Sequence, residues 1–543
     1  MALVNSCKRP KASYENMSGT PCVFDCGAGG KGNDLIKCEV DFSSQAAISS
    51  IDVTINGTTQ TISFGETLTD GTVDLVNGII TRPDNSVKFI APQVITQKSG
   101  RNTISGDSAV TNISVTFTKV GPSVSGGALM PSFKIPSPAI AKKIYGFHID
   151  SSNDSPSAAV TYLEDAIGMT PAYMDFANDV FVWGDWEDAF FMPRPCMLKN
   201  DGTVDYYLDP DDYSKKTDGT ASDISSDAYA GNAMIEWGQN GQRIWYKIVP
   251  DVNDDTSASI YIANYRADED YNAWSFYDAN NKLKEHFYTP IYNGSIVNNG
   301  TNDVLRSLSG KTYDKLCQGK TAAVEVTMAE RNNVGSDKGW FTEVNADVDL
   351  IHWLLILISK SLDVQTSFGA GNMSQSSAAA NMLTTGTMDQ KGFFWGDDSG
   401  LQGVKVFGME NFWANQWRRY AGLWLSDGAY KYKMTRGTAD GSTATDYSTS
   451  SPTGYLDGAA ASPTSNGYYS KMTYNKKTAF ISSVTGGSQT KYYCDYFYQN
   501  QSGLRYALRG GSCNRGRNCG FSVILNYTAG YTYWYVGASL SYK

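Results

Sequence analysis

Histidine is scarce in this chain, and its absence limits the chemistry that most of the sequence can support. The 543 residues include three histidines, and none follows His352. Histidine is the commonest general base and a frequent zinc ligand. Nine cysteines are thinly spread, and the cluster Cys7, Cys22, Cys26 and Cys38 lacks the paired CxxC spacing of a zinc ribbon. We therefore expect ordinary thiols there, with no metal and no cofactor.

Long apolar runs and excess basic charge are also missing. No apolar run approaches the roughly 20 residues that a membrane-spanning helix needs, and the first residues lack the apolar core of a signal peptide. We expect no membrane insertion and synthesis in the cytoplasm of the expressing cell. The net charge is -10, whereas nucleic-acid binding needs a basic surface. Nucleic acid is therefore not an expected partner.

Tyrosine and glycine are abundant, and the chain is longer than one core usually supports. The 34 tyrosines and 52 glycines favour β-rich, loop-rich structure. Alternating apolar residues around an Asn56-Gly57 turn predict a hairpin. We predict a cysteine-containing attachment segment at 1–45, a small all-β, sandwich-like module at 46–120, a Gly/Pro/Ser linker at 121–141 and a large α+β domain at 142–543.

Within the large domain, the spacing of apolar residues predicts several elements. We expect a strand at Tyr145–Ile149 and a short helix at Ala158–Ala166, with the acidic Asp154 just ahead of it as a helix-start signal. We also expect a longer helix at Asn345–Leu362, with His352 as a core or capping residue rather than a ligand. The acidic stretch around Asp205 to Asp212 lacks the spacing of an EF-hand, which favours a solvated loop over a calcium site. Residues 435–465 are rich in Ser, Thr, Gly and Ala and predict a flexible insertion.

The last fifty residues have a composition of their own. Acidic residues stop at Asp495, while arginine, tyrosine and glycine accumulate. Successive side chains of an extended backbone point to opposite faces, so Phe521, Val523 and Leu525 are expected in a core and the interleaved residues at the surface. Tyrosine and arginine supply much of the contact area in interface hot spots. The composition therefore indicates either a contact surface or a tyrosine-rich sheet without a partner.

Two motifs carry a resemblance to a known family. The run from Phe407 to Trp417, FGMENFWANQW, resembles the Phe-Gly-Xaa-Glu-Asn-Xaa-Trp-Xaa-Asn-Xaa-Trp motif of the C-type-lectin-like fold shared with formylglycine-generating enzymes. The run ALRGGSCNRGRNCGFSVILNYTAGYTYWYVGASLSYK is similar to the variable region of diversity-generating retroelement proteins, which include phage major tropism determinants. In that family an error-prone reverse transcriptase rewrites asparagine codons at their adenines. Cys513 stands where the family usually has tryptophan.

The resemblance implies a division between framework and exchangeable residues, with the variable region at about 506–535. The implied framework comprises Gly408, Glu410, Asn411, Trp413, Trp417, Arg509, Gly510, Gly511, Trp534 and Gly537. The implied ligand-binding set comprises Tyr506, Cys513, Arg515, Arg517, Cys519, Ser522, Ile524, Tyr527, Tyr531, Thr532, Tyr533 and Tyr535. Rewriting the adenines of an asparagine codon cannot produce Lys, Glu, Gln, Met or Trp, and none of these occurs from Cys513 to Tyr535 except Trp534.

The function implied by the resemblance is receptor recognition on a phage tail-fibre tip. The implied partners are a host cell-surface protein or glycan and, through the N-terminal part, other tail proteins, in a homotrimeric virion protein. We expect Tyr531, Tyr533 and Tyr535 to be the energetic centre of binding, flanked by Arg515 and Arg517. The alternatives are a cell-encoded, diversified surface-display protein and, less favoured, a formylglycine-generating-type enzyme that would use Cys513 and Cys519.

Overall fold

The computed structural model describes residues 142–239, 242–336, 338–435, 454–476 and 481–543, together with strands between Cys22 and Lys134. The chain divides into two compact units, Met1–Ala141 and Lys142–Lys543. The structure is mostly β, with 36% strand and 10% helix, several sheets and one sheet curled into a half-barrel. The expectation of a β-rich fold is therefore confirmed.

The described strands of the first unit form two sheets and a separate hairpin. The sheet orders are β1-β10-β3-β4 and β11-β2-β5-β6-β7, and β8 pairs with β9. The predicted hairpin is confirmed, because Ile55 lies opposite Thr58. Strands β1, β2 and β11 join these sheets from outside the predicted 46–120 module, and the side chains of Cys7, Cys22, Cys26 and Cys38 lie outside the described residues. The strands β1 to β11 span Cys22–Phe24, Glu39–Phe42, Ile48–Ile55, Thr58–Leu68, Gly71–Asp74, Ile79–Thr81, Val87–Phe89, Ile95–Lys98, Arg101–Ile104, Ile113–Lys119 and Ser132–Lys134.

The second unit holds the large sheets. The strands β12 to β24 span Ile144–Ile149, Val160–Glu164, Tyr173–Asp175, Val180–Val182, Arg194–Lys199, Val204–Tyr207, Gly231–Trp237, Trp245–Asp251, Asp254–Ala263, Phe287–Pro290, Ser295–Asn298, Asp303–Arg306 and Trp340–Thr342. The strands β25 to β37 span Trp395–Gly396, Val404–Val406, Met409–Glu410, Trp417–Ser426, Ala429–Tyr432, Leu456–Ala461, Gly467–Thr473, Ile481–Thr485, Tyr496–Gln499, Leu504–Arg509, Val523–Tyr527, Val536–Gly537 and Leu540–Tyr542.

Two of these sheets position the C-terminal region. The nine-stranded sheet has the order β30-β29-β28-β34-β35-β33-β31-β32, with β36 parallel to β28. The six-stranded sheet has the order β17-β16-β18-β21-β37-β24. The last strand thus lies between strands from residues 287–290 and 340–342. Of the predicted 435–465 insertion, β30 is described and pairs with β29, whereas residues 436–453 lie outside the described residues.

In the part of the chain that the structure describes, helices are few, and all but one are short. The helices α1, α2 and α3 span Ala322–Glu330, Asn345–Ser359 and Val364–Phe368, and 3-10 turns cover Trp274–Phe276 and Ala379–Asn381. Helix α2 confirms the predicted helix but ends three residues earlier, where Lys360 has a left-handed φ of 53°. Across the described residues, none of the helices has the length and apolar character required to traverse a bilayer.

Helix α2 is buried on every side, not along one stripe. All of its residues from Asn345 to Ser359 are buried. The His352 ring stacks on Phe521 with centroids 3.4 Å apart, so the prediction of a core histidine is confirmed. A helix that is buried around its whole circumference lies in the middle of a large core, and the core of the second unit accordingly packs around α2.

The predicted helix at Ala158–Ala166 is wrong. Residues Val160–Glu164 form a strand that pairs with β12 and alternates between buried and more exposed positions. The Asp154 carboxylate, which resembled a helix cap, instead accepts a hydrogen bond from Lys491, far away in the sequence. A tertiary contact therefore uses the side chain that suggested the helix start.

Two buried ion pairs join the C-terminal region to helix α2. Arg509 at the end of β34 pairs with Asp349 of α2 at 3.2 Å, and both side chains are almost fully buried. Lys543, directly after β37, pairs with Asp347 of the same helix at 2.9 Å. Burial raises the pKa of the Asp349 carboxyl to about 7, and Arg509 opposes that rise. The position of the C-terminal strands is therefore coupled to α2 by charge.

Replacing Arg509 by Met should lower the free energy of unfolding by roughly 3–5 kcal/mol, because the buried Asp349 carboxyl would lose the cation that stabilises its charged form and would have to take up a proton. A urea titration followed by tryptophan fluorescence measures the change. Lys199→Met, which breaks an exposed pair with Asp205, is the matched control and should change stability little. Similar losses in the two variants would contradict the assigned role of the buried pair.

Candidate functional site

The motif that begins at Phe407 forms a tightly turned segment between β26 and β28. Phe407, Asn411, Ala414 and Asn415 all have left-handed φ values between 47° and 62°. Such conformations are costly for residues other than glycine, so surrounding contacts must hold the segment. At Gly408, a Cβ atom would lie 2.4 Å from the Tyr213 hydroxyl oxygen, which leaves room only for glycine.

Polar side chains of the motif supply those contacts. The buried Glu410 carboxylate accepts hydrogen bonds from the Gly386 backbone N–H at 2.9 and 3.0 Å. Asn415 donates to the Asn293 side chain and accepts from the Asn372 side chain, each at 2.9 Å. These bonds connect loops that are distant in the sequence, which gives the implied framework residues a structural role.

The Gly510-Gly511 pair lies directly against this segment. The Gly510 carbonyl accepts a hydrogen bond from the Ala414 N–H at 2.6 Å. Gly511 has a φ of 87°, and a Cβ atom there would lie 2.2 Å from the Cys519 sulfur. Close approach therefore requires glycine at position 511, where the sulfur fills the space that a side chain would need.

The segment 528–535, which we call the tyrosine loop, is held by its backbone. Four of its carbonyl groups, on alternate residues, accept hydrogen bonds from the rest of the domain. The bonds run from Ala322 N to Ala529 O (2.9 Å), Arg419 Nη2 to Tyr531 O (2.9 Å), Gly319 N to Tyr533 O (3.1 Å) and Trp417 N to Tyr535 O (2.9 Å). Because every residue type carries a carbonyl group, these bonds do not depend on the side chains at 531, 533 and 535.

One of these donors is itself fixed by a buried ion pair. The Arg419 guanidinium on β28 pairs with Glu325 of α1 at 2.7 Å, and both side chains are buried. Thr321, the N-cap of α1, accepts a hydrogen bond from Val324 at 3.4 Å. Helix α1 therefore supports the tyrosine loop through both Arg419 and the Ala322 N–H. No sequence pattern indicates this support, because the donors lie more than a hundred residues from the loop.

Four tyrosine rings, Tyr527, Tyr531, Tyr533 and Tyr535, form what we call the tyrosine cluster. Tyr527 and Tyr531 stack with centroids 3.6 Å apart, Tyr531 and Tyr533 lie 6.3 Å apart, and Tyr533 and Tyr535 lie 4.4 Å apart. Tyr533 is 46% exposed, whereas Tyr535 is only 7% exposed. Thr532 is exposed beside the cluster. The rings of Tyr531, Tyr533 and Tyr535, which occupy alternate positions in the sequence, thus lie together as predicted. Tyr535, however, is buried under the group and is not part of its exposed surface.

The two predicted flanking arginines have different surroundings. Arg515 donates to the Tyr535 hydroxyl at 3.3 Å, and its guanidinium lies 5.2 Å from the centre of that ring. Arg517 instead pairs with Asp363 at 2.9 Å and donates to Thr366 at 3.0 Å. The structure therefore places Arg515 with the tyrosine cluster and ties Arg517 to the N-terminus of α3.

Several residues predicted at the surface are buried, so that part of the prediction is wrong. Strand β35 lies inside the nine-stranded sheet, between β34 and β33. Both faces of β35 are covered, so Ser522 and Ile524 are buried, contrary to the prediction. Phe521, Val523 and Leu525 are buried too, and their predicted burial is confirmed. The buried members of the predicted binding set are Tyr506, Cys513, Cys519, Ser522, Ile524 and Tyr535.

The alternate positions of Cys513, Arg515, Arg517 and Cys519 also predict an extended backbone, and this prediction is wrong. This stretch consists of turns, and Gly511, Gly516 and Gly520 have positive φ values of 87°, 56° and 66°. Cys513 lies against Leu316 and Met382, together with the half-buried framework residue Trp534. The indole of Trp534 thus packs beside the position where tryptophan was expected.

The two cysteines of this region are poorly suited to nucleophilic chemistry. Burial raises the pKa of the Cys513 thiol to about 11 and that of the Cys519 thiol still further. A thiolate is the reactive form, and reactive cysteines have a lowered pKa. Both thiols are therefore protonated near neutral pH. Among the described residues, no group of three or more His, Cys, Asp or Glu side chains is arranged to hold a metal ion.

The framework around the tyrosine loop should be sterically strict while the loop itself is tolerant. Gly537→Ala would place a Cβ atom 1.9 Å from the Cys317 carbonyl oxygen. We expect a clear fall in the melting temperature for this variant. Gly530→Ala is the matched control within the tyrosine loop, because its nearest neighbour, the Thr528 hydroxyl, is 3.9 Å from the added atom. Equal melting temperatures for the two variants would contradict a rigid framework at Gly537.

Comparisons with known proteins assign no family to this site. No protein-family model matches the chain, and no curated protein matches its sequence. The function of the site is therefore inferred from its residues.

Proposed function

We propose that the protein is a non-enzymatic binding protein whose second unit presents an exchangeable recognition surface centred on the tyrosine cluster. The observation that carries the proposal is the backbone anchoring of the tyrosine loop through the carbonyl groups of residues 529, 531, 533 and 535. Side chains at these positions can change without the loss of a single one of those hydrogen bonds. Specificity can therefore change while the fold stays the same.

The proposed fold of the second unit is C-type-lectin-like. Support comes from the β-rich architecture, the left-handed turns of the 407–417 motif and the contact of that motif with Gly510. The pairing of the last strand, β37, with strands from much earlier in the unit also fits a domain whose terminal segment closes the sheet. A fixed scaffold of this kind can carry many different loop sequences.

The composition of the surface suits recognition. Tyrosine combines a large rigid ring with a hydroxyl that both donates and accepts hydrogen bonds, and it is enriched in hot spots and paratopes. Tyr531 and Tyr533 supply ring area, Thr532 supplies an exposed hydroxyl and Arg515 supplies a charge beside Tyr535. The overall recognition surface is therefore smaller than the sequence predicted and is concentrated on residues 515, 527 and 531–533.

The biological setting that we propose is receptor recognition at the tip of a phage tail fibre. The target would be a protein or glycan on the host cell surface, and the N-terminal part would bind other tail proteins. A homotrimer would present several copies of the surface, so weak single contacts would add to a strong attachment through multivalency. A cell-encoded, diversified surface-display protein is the alternative. Catalysis of the formylglycine-generating type is disfavoured by the raised pKa values of Cys513 and Cys519.

The double variant Tyr531→Ala/Tyr533→Ala tests this function. The cells to test are those of the bacterium whose DNA carries the gene, and of its near relatives. We expect the labelled variant to bind these cells about tenfold more weakly, or weaker still, because two central rings are lost. Flow cytometry measures the binding. Thermal unfolding should change little, because the anchoring bonds involve backbone carbonyl groups.

Tyr173→Ala/Tyr455→Ala is the matched control, since both of these tyrosines are exposed and lie outside the tyrosine cluster. It should bind cells as the unchanged protein does. Unaltered binding by the Tyr531/Tyr533 variant would refute the assigned surface. A large loss of thermal stability in that variant would show that the rings are core residues.

A further inference from the structure

A groove in the second unit has the features of a separate ligand site. It is bounded by β15, by β16 and β17 and by the segment 391–395, and it shares no residue with the tyrosine loop or cluster. Its volume is about 730 Å³, within the range of about 300–1,000 Å³ that small-molecule sites occupy. The groove is therefore large enough for a ligand of several rings.

Aromatic rings line the groove and remain partly accessible. Phe181, Trp183, Tyr207, Phe393 and Trp395 are all half-buried. Ordinary surface residues rarely combine so many rings, and a contiguous aromatic lining is typical of a recognition site. The rings are held in place, since Phe181 packs edge-on against Trp183 at 5.0 Å and the Trp395 indole N–H donates to Asp179 at 2.7 Å.

The charges that line the groove occur as adjacent donors and acceptors. Arg194 pairs at 2.7 Å with Glu236, which is buried and does not line the groove, and also donates to the Tyr207 hydroxyl, which does. Lys391 pairs with Asp179 at 3.4 Å. Each cation among the described lining residues therefore has a carboxylate partner.

Two further lining carboxylates, Glu187 and Asp211, are exposed. They add negative charge to a lining whose cations are already paired. An anionic ligand would consequently meet repulsion without a free cation to compensate for it.

We propose that this groove binds a neutral oligosaccharide. The apolar C–H face of a sugar ring can stack on an aromatic ring. Lys391 and Arg194 lie over one face of the Trp395 and Tyr207 rings, 4.4 and 4.0 Å from the ring centres, so a sugar would stack on the opposite faces. Each sugar hydroxyl both donates and accepts a hydrogen bond. Neighbouring hydroxyls match the adjacent donor and acceptor of the Lys391–Asp179 pair and the Tyr207 hydroxyl beside Arg194.

A proline-rich peptide fits the same groove less well. Such a peptide presents backbone carbonyl acceptors along an extended helix. The Trp395 indole N–H, which would donate to such a carbonyl, is already bonded to Asp179. The proposal does not depend on the function of the tyrosine cluster, because the two surfaces have no residue in common.

An array of immobilised neutral oligosaccharides, their sulfated counterparts and proline-rich peptides, probed with the full-length protein, tests this assignment. We expect binding to at least one neutral oligosaccharide. Trp395→Ala should weaken that binding about tenfold through loss of the ring platform. Lys391→Met should also weaken oligosaccharide binding. Because Lys391 is exposed, this variant tests the groove even if Trp395→Ala does not fold.

Trp245→Ala is the matched control, because this half-buried tryptophan lies outside the groove and packs near Arg266. It should bind the oligosaccharide normally, and so should Tyr531→Ala/Tyr533→Ala, even if that variant no longer binds cells. The proposal is overturned by absence of binding to every neutral oligosaccharide, by stronger binding to sulfated sugars or peptides, or by binding that folded groove variants retain in full.

Discussion

The second unit depends on buried ion pairs that join β28, β34 and the C-terminal residue to helices α1 and α2 and to Glu343. Arg418 and Arg419 on β28 pair with Glu343 and Glu325, Arg509 on β34 pairs with Asp349, and Lys543 pairs with Asp347. Each pair joins β28, β34 or the residue after β37 to α1, to α2 or to Glu343, two residues before α2. Buried charges are tolerated only in pairs with good geometry, so these contacts fix the strand positions closely.

This constraint explains how a surface can vary without loss of the fold. Arg419 is fixed by Glu325 and donates in turn to the Tyr531 carbonyl, so the ion pair acts on the loop through its backbone. The remaining anchors of the loop are backbone N–H groups. The basic character of the C-terminal sequence has the same origin: Arg509 and Arg517 serve the scaffold, and of the predicted flanking pair only Arg515 lies with the tyrosine cluster.

The sequence predicted those parts that depend on local patterns. The helical spacing of apolar residues was sufficient to locate α2, and the Asn56-Gly57 turn was sufficient to locate a hairpin. The grouping of the tyrosine rings followed from their spacing. Surface exposure could not be predicted, because Ser522 directly precedes the interior strand β35 and Ile524 lies within it. Ile524 shares a buried cluster with Trp417, which is more than a hundred residues earlier in the chain. The backbone donors at Gly319 and Ala322 could not be predicted either, since a backbone N–H leaves no trace in the sequence.

The central claim is that a fixed scaffold carries a diversified surface, and the DNA that flanks the coding sequence tests it most directly. The account predicts a near-copy of the segment that encodes Leu508 to Tyr535, which differs from it only where the copy has adenines. The differences should include the codons of Arg515, Tyr527, Tyr531, Thr532 and Tyr533, and the codons of Gly510, Gly511, Trp534 and Gly537 should be unchanged wherever the copy extends. The absence of such a copy, with codons at these tyrosines unrelated to those of asparagine, would contradict diversification and leave a surface of fixed specificity.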